Sequence, residues 1–316
     1  VESKEIIESE APQPAAEVTA KAIRETNARL IPSGHWYYED GRPAYEVPYA
    51  NKPGLKKTDL RDARKLNLKP SVTHIDRIVA KGVLDRWIKR QILGAARKIK
   101  IDEVISIMRN KIKKFQFKTK QLWQEEIMKA AIAEWENQVI ELADEQSKVG
   151  RELGTSIHDA ISMWLQDEPI EVICEHTKMN ESVVKPYLDC FGDWYSENID
   201  DSQAKEIEFT IPTTLGYGGR CDLLGRDYNG NYILVDYKSR KKVAAYKSDP
   251  RQLSAYSHAI AEGRNISVSI RLISFLMSTS KPGETIVVEY TDQAKHQFQM
   301  FSNAFALWKD ENNWEG

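Results

Sequence analysis

Cysteine is scarce in this chain, with three among 316 residues. So sparse and odd a set gives no disulfide framework. Cys174, Cys190 and Cys221 lie in apolar or helical settings and are expected as reduced, packed thiols of a reducing compartment. Long apolar runs are also missing: no stretch approaches membrane-spanning length, and no signal-peptide pattern opens the chain. A soluble, cytoplasmic protein is therefore expected, its opening valine suggesting that the start was removed by processing or by the choice of boundary. Net charge is nearly absent at −2, from 45 basic and 47 acidic residues. That balance does not exclude nucleic acid, because what matters is where the charges cluster.

What the chain does have is patterning, and enough length for one large α/β domain with helical additions. Lys and Arg gather at Arg86 to Arg90, Arg97 to Lys100, Arg109 to Lys120 and Lys238 to Arg251, whereas acids concentrate in the first residues and at Glu134 to Glu145. A basic run is commonly a solvated helix face, but the last one adjoins the chemistry described below. Residues 1–33, rich in Glu, Ala and Pro, read as a mobile or partly helical tail. Trp36 to Tyr38 and Ala44 to Val47 flank Glu39 to Pro43 as a hairpin by composition, with aromatics that either stack on bases or cover the edge of the core.

From His74 to Trp164 the pattern is helical, with Leu122, Ile127, Ala130, Ala131, Trp135, Val139 and Leu142 on one stripe. Gly150 and Gly154 are expected near the start or a bend of the helix that carries His158. A break at Gln166 to Pro169 precedes a helix from Glu181 to Asn198. Strands are expected at Ile207 to Ile211, Tyr217 to Arg226 and Tyr232 to Lys238, a helix at Gln252 to Ala261, strands at Ser267 to Met277 and Thr285 to Tyr290, and a closing helix at Gln293 to Lys309. This order is α+β, a mixed central β-sheet flanked by helices. Residues 34–149 form an N-terminal hairpin and basic helical region, and residues 150–316 the core.

Two of those strands carry the chemistry. Asn229-Gly230 between Gly219 to Leu224 and Ile233 to Lys238 is a hairpin signal, and Asp222 lies about as far before it as Asp236 lies after it. Alternation sends Asp236 and Lys238 to one face and Tyr237 to the other, leaving the Tyr237 carbonyl free to meet a metal. Both acids interrupt core-type strands, where an unpaired charge is expensive. Either they are neutralised through Lys238 or they bind a cation, and two acids with a lysine can hold divalent metal against a phosphodiester.

Four blocks in order resemble the RecB-like branch of the PD-(D/E)XK nuclease superfamily, which includes phage-type exonucleases and the mitochondrial genome-maintenance exonuclease. They are Gly154 to Ile161 with His158, Glu208 with Gly216 to Asp222, Asp236-Tyr237-Lys238, and Gln252-Leu253-Ser254-Ala255-Tyr256. Cys221 stands where the superfamily's name has proline. Pro70 to Thr73 with Leu84 and Trp87 resembles an N-terminal element of phage members. Some RecB-like nucleases carry an iron–sulfur cluster on four cysteines, so three imply a cluster-free member.

The resemblance implies a restriction-endonuclease-like core and a metal-dependent DNA exonuclease working on single strands or DNA ends in replication, recombination or repair, alongside a partner protein of those processes, in a bacterial or phage-infected cell. His158, Asp222, Asp236 and the Tyr237 carbonyl would bind Mg²⁺ or Mn²⁺, with Lys238 orienting or deprotonating the attacking water and Glu208 either serving a second metal or its water shell or pairing with a basic neighbour. Gln252 and Tyr256 would steer the strand, and Arg220, Arg240, Lys242 and Arg251 would meet phosphates. The alternatives are an endonuclease of the same fold and a non-catalytic DNA-binding scaffold.

Overall fold

The computed structural model describes residues 35–112, 120–266 and 268–315. The expected tail over residues 1–33, most of the basic run from Arg109 to Lys120, and Ser267 lie outside the described residues, as do the side chains of Leu84, Arg86, Trp87, Leu122 and Ile127. The chain divides into two compact units, one containing Gly82–Val149 and the other Ser33–Lys81 with Gly150–Gly316. The sequence grouping kept residues 34–149 together; here Ser33–Lys81 packs with the sheet-bearing unit.

That unit opens with β1 (Trp36–Tyr37), β2 (Glu46–Pro48), β3 (Leu55–Lys57), α1 (Leu60–Lys65), β4 (Lys69–Pro70) and the start of α2 (Val72–Ala96). After α3 (Ile101–Ile112) and α4 (Lys120–Trp164) come α5 (Ile170–Thr177), α6 (Glu181–Asn198), β5 (Glu206–Thr210), β6 (Arg220–Arg226), β7 (Tyr232–Arg240), α7 (Ser248–Gly263), β8 (Arg271–Ser278), β9 (Thr285–Glu289) and α8 (Ala294–Glu311). In the other unit, Ala95 of α2 packs on Val139 and Ala143 of α4, and Val104 of α3 on Ala131.

Strands β5 to β9 form one five-stranded sheet in sequence order. Neighbours are antiparallel except β7 and β8, which run parallel with α7 between them. A parallel pair needs such a crossover, since no tight turn can reverse the chain twice. Alternation then sorts the core into two layers. Ile233, Val235 and Tyr237 of β7, with Ile273, Phe275 and Met277 of β8, pack on Ile157 and Ile161 of α4 and on Tyr187 and Phe191 of α6. Leu234 and Leu272 pack on the other side against Leu253, Tyr256 and Ile260 of α7 and Phe301 and Trp308 of α8. Helix α6 follows its apolar spacing, burying Val184, Tyr187, Leu188, Phe191 and Tyr195.

One expectation is revised, a second is extended, and a third is decided between its two alternatives. Helix α4 runs unbroken through Gly150 and Gly154, so His158 sits late in a 45-residue helix rather than near a start. Packing outweighs the propensity of two isolated glycines. The hairpin around Glu39 to Pro43 forms, with Tyr37 bridged antiparallel to Pro43 and the Ala44 amide donating to the Trp36 carbonyl; β1 pairs with β4 as well, and a second hairpin joins β2 to β3. Trp36 and Tyr37 are buried, the former between Trp308 and Trp314, so they cover the core and are closed to bases.

Candidate active site

The β6–β7 hairpin turns over Asp227 to Asn231, five residues rather than two, with the Asp227 carboxylate accepting the amides of Asn229 and Asn231. Its ladder runs from Arg226 opposite Tyr232 to Leu223 opposite Val235. Extending that register by one puts Asp222 opposite Asp236. Here a side chain takes over from the ladder: Asp222 Oδ2 accepts the Tyr237 amide at 2.6 Å. The N–H and C=O of one strand residue point toward the same neighbour, so the Tyr237 carbonyl faces this opening too. Its ring lies in the opposite layer, edge-on to the His158 ring at 5.7 Å.

Asp236 and Lys238 share the face toward α7. Lys238 Nζ lies 2.7 Å from Asp236 Oδ2 and donates to Gln252 Oε1 at 3.1 Å. Gln252 Nε2 in turn reaches Asp236 Oδ1 at 3.2 Å and the Tyr256 hydroxyl, one helical turn on, at 3.0 Å. Close backbone approach makes room for this. A Cβ at Gly219 would stand 2.4 Å from the Tyr256 ring, and one at Gly218 would stand 2.6 Å from Tyr37.

A third carboxylate arrives from β5. Glu208 falls at the register position opposite Asp222, and its backbone departs from the strand with φ of +50°, a conformation that costs a non-glycine residue roughly 1–3 kcal/mol. Its carboxylate bonds Ser162 of α4 at 3.3 Å and pairs with Arg220 at 2.7 Å. Helix α4 brings His158 in close because Gly154 lies against Ser239 of β7, where a Cβ would be 2.8 Å from the hydroxyl. His158 Nδ1 is 3.7 Å from Asp222 Oδ2.

These side chains suit a divalent cation. His158, Glu208 and Asp222 each offer a donor atom, all within 4.8 Å of one another. Asp236 Oδ2 is buried with no hydrogen-bond partner, since Lys238 pairs with it at short range but off the bonding axis. Nitrogen and carboxylate oxygen donors fit a divalent metal of the hard to intermediate kind. Asp236, expected among the ligands, lies outside the three-donor group, and Glu208, expected to serve a second site, lies inside it.

Electrostatics agree. Burial, with Asp222 adding to it, pushes Asp236 up to about 6 against the pull of Lys238. Burial also raises Glu208, and the nearby Asp222 charge adds to that. Burial works against a charged His158, yet the Asp222 carboxylate outweighs it and the imidazole is raised. Lys238 likewise ends above its ordinary value, burial being overcome by Asp236 and Asp222. Three acids this close are held apart in protonation by mutual repulsion, which a cation would relieve.

The expected phosphate contacts separate. Arg220 remains half exposed beside Glu208, and Lys242 is exposed. Arg240 is instead gripped by Asp249 at 2.6 and 2.9 Å, and Arg251 by Asp76 of α2 at 2.5 and 3.0 Å. Both side chains are only 10% exposed, so their guanidiniums are turned inward rather than offered to a phosphate. Asp76, Asp249 and Ser162 went unread in the sequence, where nothing marks which distant charge each would meet.

A model of the PD-(D/E)XK nuclease superfamily matches residues 130–312. The chain belongs to that superfamily. The match spans most of α4, the whole five-stranded sheet and α8, and with it come metal-dependent nuclease chemistry and DNA as the substrate. No curated protein matches the chain. Among the described residues, no helix is long and apolar enough to cross a membrane.

Proposed function

We propose that this superfamily member is a DNA exonuclease of the RecB-like, cluster-free branch, acting on single strands or DNA ends with Mg²⁺ or Mn²⁺ in a bacterial or phage-infected cell. The observation that carries it is the open end of the β6–β7 ladder, where His158, Glu208, Asp222, Asp236 and Lys238 converge in a protein whose sequence resembles that branch. His158, Glu208 and Asp222 hold the metal, with Asp236 Oδ2 and the Tyr237 carbonyl facing the same space. Bound there, the metal supplies Lewis acidity toward the scissile phosphate and lowers the pKa of a coordinated water.

The chain's own groups do the rest. Lys238 holds the attacking water and offsets charge that develops on the phosphate. Gln252 orients Lys238 and Asp236 through its amide, and Arg220 meets the phosphate backbone beside Glu208. Ends come from replication, recombination or repair, with which a partner protein would associate.

Circular single-stranded DNA is the deciding substrate. Linear strands labelled at either end should shorten progressively in Mg²⁺ or Mn²⁺ while circles stay whole. Cleavage of circles at a comparable rate would establish an endonuclease instead, and no cleavage of either would leave a DNA-binding scaffold.

A further inference from the structure

The seven-residue connection from the end of β7 to α7 holds an exposed tyrosine in a built setting. Tyr246 keeps 55% of its surface open, yet its position is fixed from behind. Arg240 Cζ lies 3.8 Å from the ring centroid, against one face. That guanidinium is itself clamped by both oxygens of Asp249, which is 1% exposed, and donates to the Ala244 carbonyl. Asp249 Oδ2 also accepts the Tyr246 amide at 2.8 Å. One buried carboxylate therefore ties down both the tyrosine's backbone and the arginine behind its ring. With one face taken, the open surface of the ring belongs to the other face and the edge.

The surroundings are cationic. Lys241, Lys242 and Lys247 are exposed on the same connection, which begins three residues after Lys238. Three strand residues span roughly 10 Å, so the loop starts within about two nucleotides' reach of the lysine of the site. The Asp249 charge is felt at Lys238, which places the clamp and the site in one electrostatic neighbourhood. An exposed aromatic ring backed by a guanidinium among lysines has the makings of a base-stacking surface: the lysines follow the phosphates, and the ring takes a base face.

We propose that Tyr246 stacks on an unpaired nucleobase of single-stranded DNA next to the bond being cut, with Arg240 as the positioning residue behind it. The proposal rests on the nuclease reading above and deepens it by assigning the substrate class. In a duplex every internal base is stacked on both faces and only the terminal pairs keep one open, so an unpaired strand is what offers base faces to this ring along its length.

The test is binding of a fluorescent oligo-dT to the full chain in EDTA at low salt, read by anisotropy, beside a duplex of equal length. Tyr246→Leu covers Arg240 without offering a π-face; it should weaken oligo-dT binding about tenfold, with duplex binding and thermal melting unchanged. Tyr246→Phe should restore binding to the wild-type level. Arg240→Leu should show the same single-strand loss as Tyr246→Leu. If Tyr246→Leu binds oligo-dT like the wild type, or weakens both DNAs equally, the stacking role is overturned while the nuclease reading stands. If the wild type hydrolyses nothing yet Tyr246→Leu still loses single-strand affinity selectively, hydrolysis falls and stacking survives. A wild type that binds no DNA overturns both.

Discussion

Two buried charge clusters lie within a few residues of each other along β7 and α7, and they are finished differently. Arg240 with Asp249, and Arg251 with Asp76, are bidentate pairs in which each carboxylate oxygen has a donor. Asp236, two residues before Lys238, keeps a buried oxygen without a hydrogen bond and shares its region with Asp222, Glu208 and His158. A closed cluster has already offset its desolvation and acts by holding other groups in place, as Arg240 does behind Tyr246. An open one gathers three carboxylates around one lysine and one histidine, and a cation would offset the negative charge that is left. Neighbouring sequence thus serves two purposes, separated by how completely the partners are satisfied.

The comparison breaks most sharply through Asp236→Asn and Lys238→Ala. Either should lower metal-dependent DNA hydrolysis by at least about 10³-fold while the circular dichroism spectrum stays unchanged. Full activity in purified Asp236→Asn protein would remove the site. The closed cluster should respond in the opposite sense: Asp76→Ala strands a buried guanidinium and should cost about 3–5 kcal/mol in denaturant unfolding, with hydrolysis per folded molecule retained.

Metal should stabilise the open cluster alone. Saturating Mn²⁺ at 100 times its Kd adds about 2.7 kcal/mol, visible as a rise in Tm that EDTA reverses. Glu208→Gln should abolish most of that rise, and Asp76→Ala should keep it. Gly219→Ala tests the close approach between them; its new methyl meets the Tyr256 ring and should cost about 1–3 kcal/mol by overpacking. At the bottom of the scale, the exposed Lys185–Asp189 pair on α6 should change stability by less than about 0.5 kcal/mol when Lys185 becomes Ala.

Much of the fold was legible because it rests on short-range pattern. Alternation put Asp236 and Lys238 on one face and Tyr237 on the other, as the two core layers bear out. The helix over Glu181–Asn198 follows its apolar spacing, and the Asn229-Gly230 turn centred the hairpin that aligns Asp222 with Asp236. Less legible was anything set by a distant partner. Arg251 reads as a basic residue near a site, and its partner Asp76 is 175 positions away. Trp36 and Tyr37 read as possible base platforms because nothing local announces that α8 and β4 will cover them. Glu208 reads as an acid of the site, while its positive φ emerges only from the sheet around it.

The sequence by itself determined the order of the sheet strands and the face each of their residues occupies, because periodicity and turn chemistry act over a few residues, and its ordered motifs carried the resemblance to the superfamily. Only the tertiary structure decided which charges are closed into pairs and which are left open. That choice depends on partners arriving from α2, α4 and β5, and a buried charge becomes structural or functional according to who meets it.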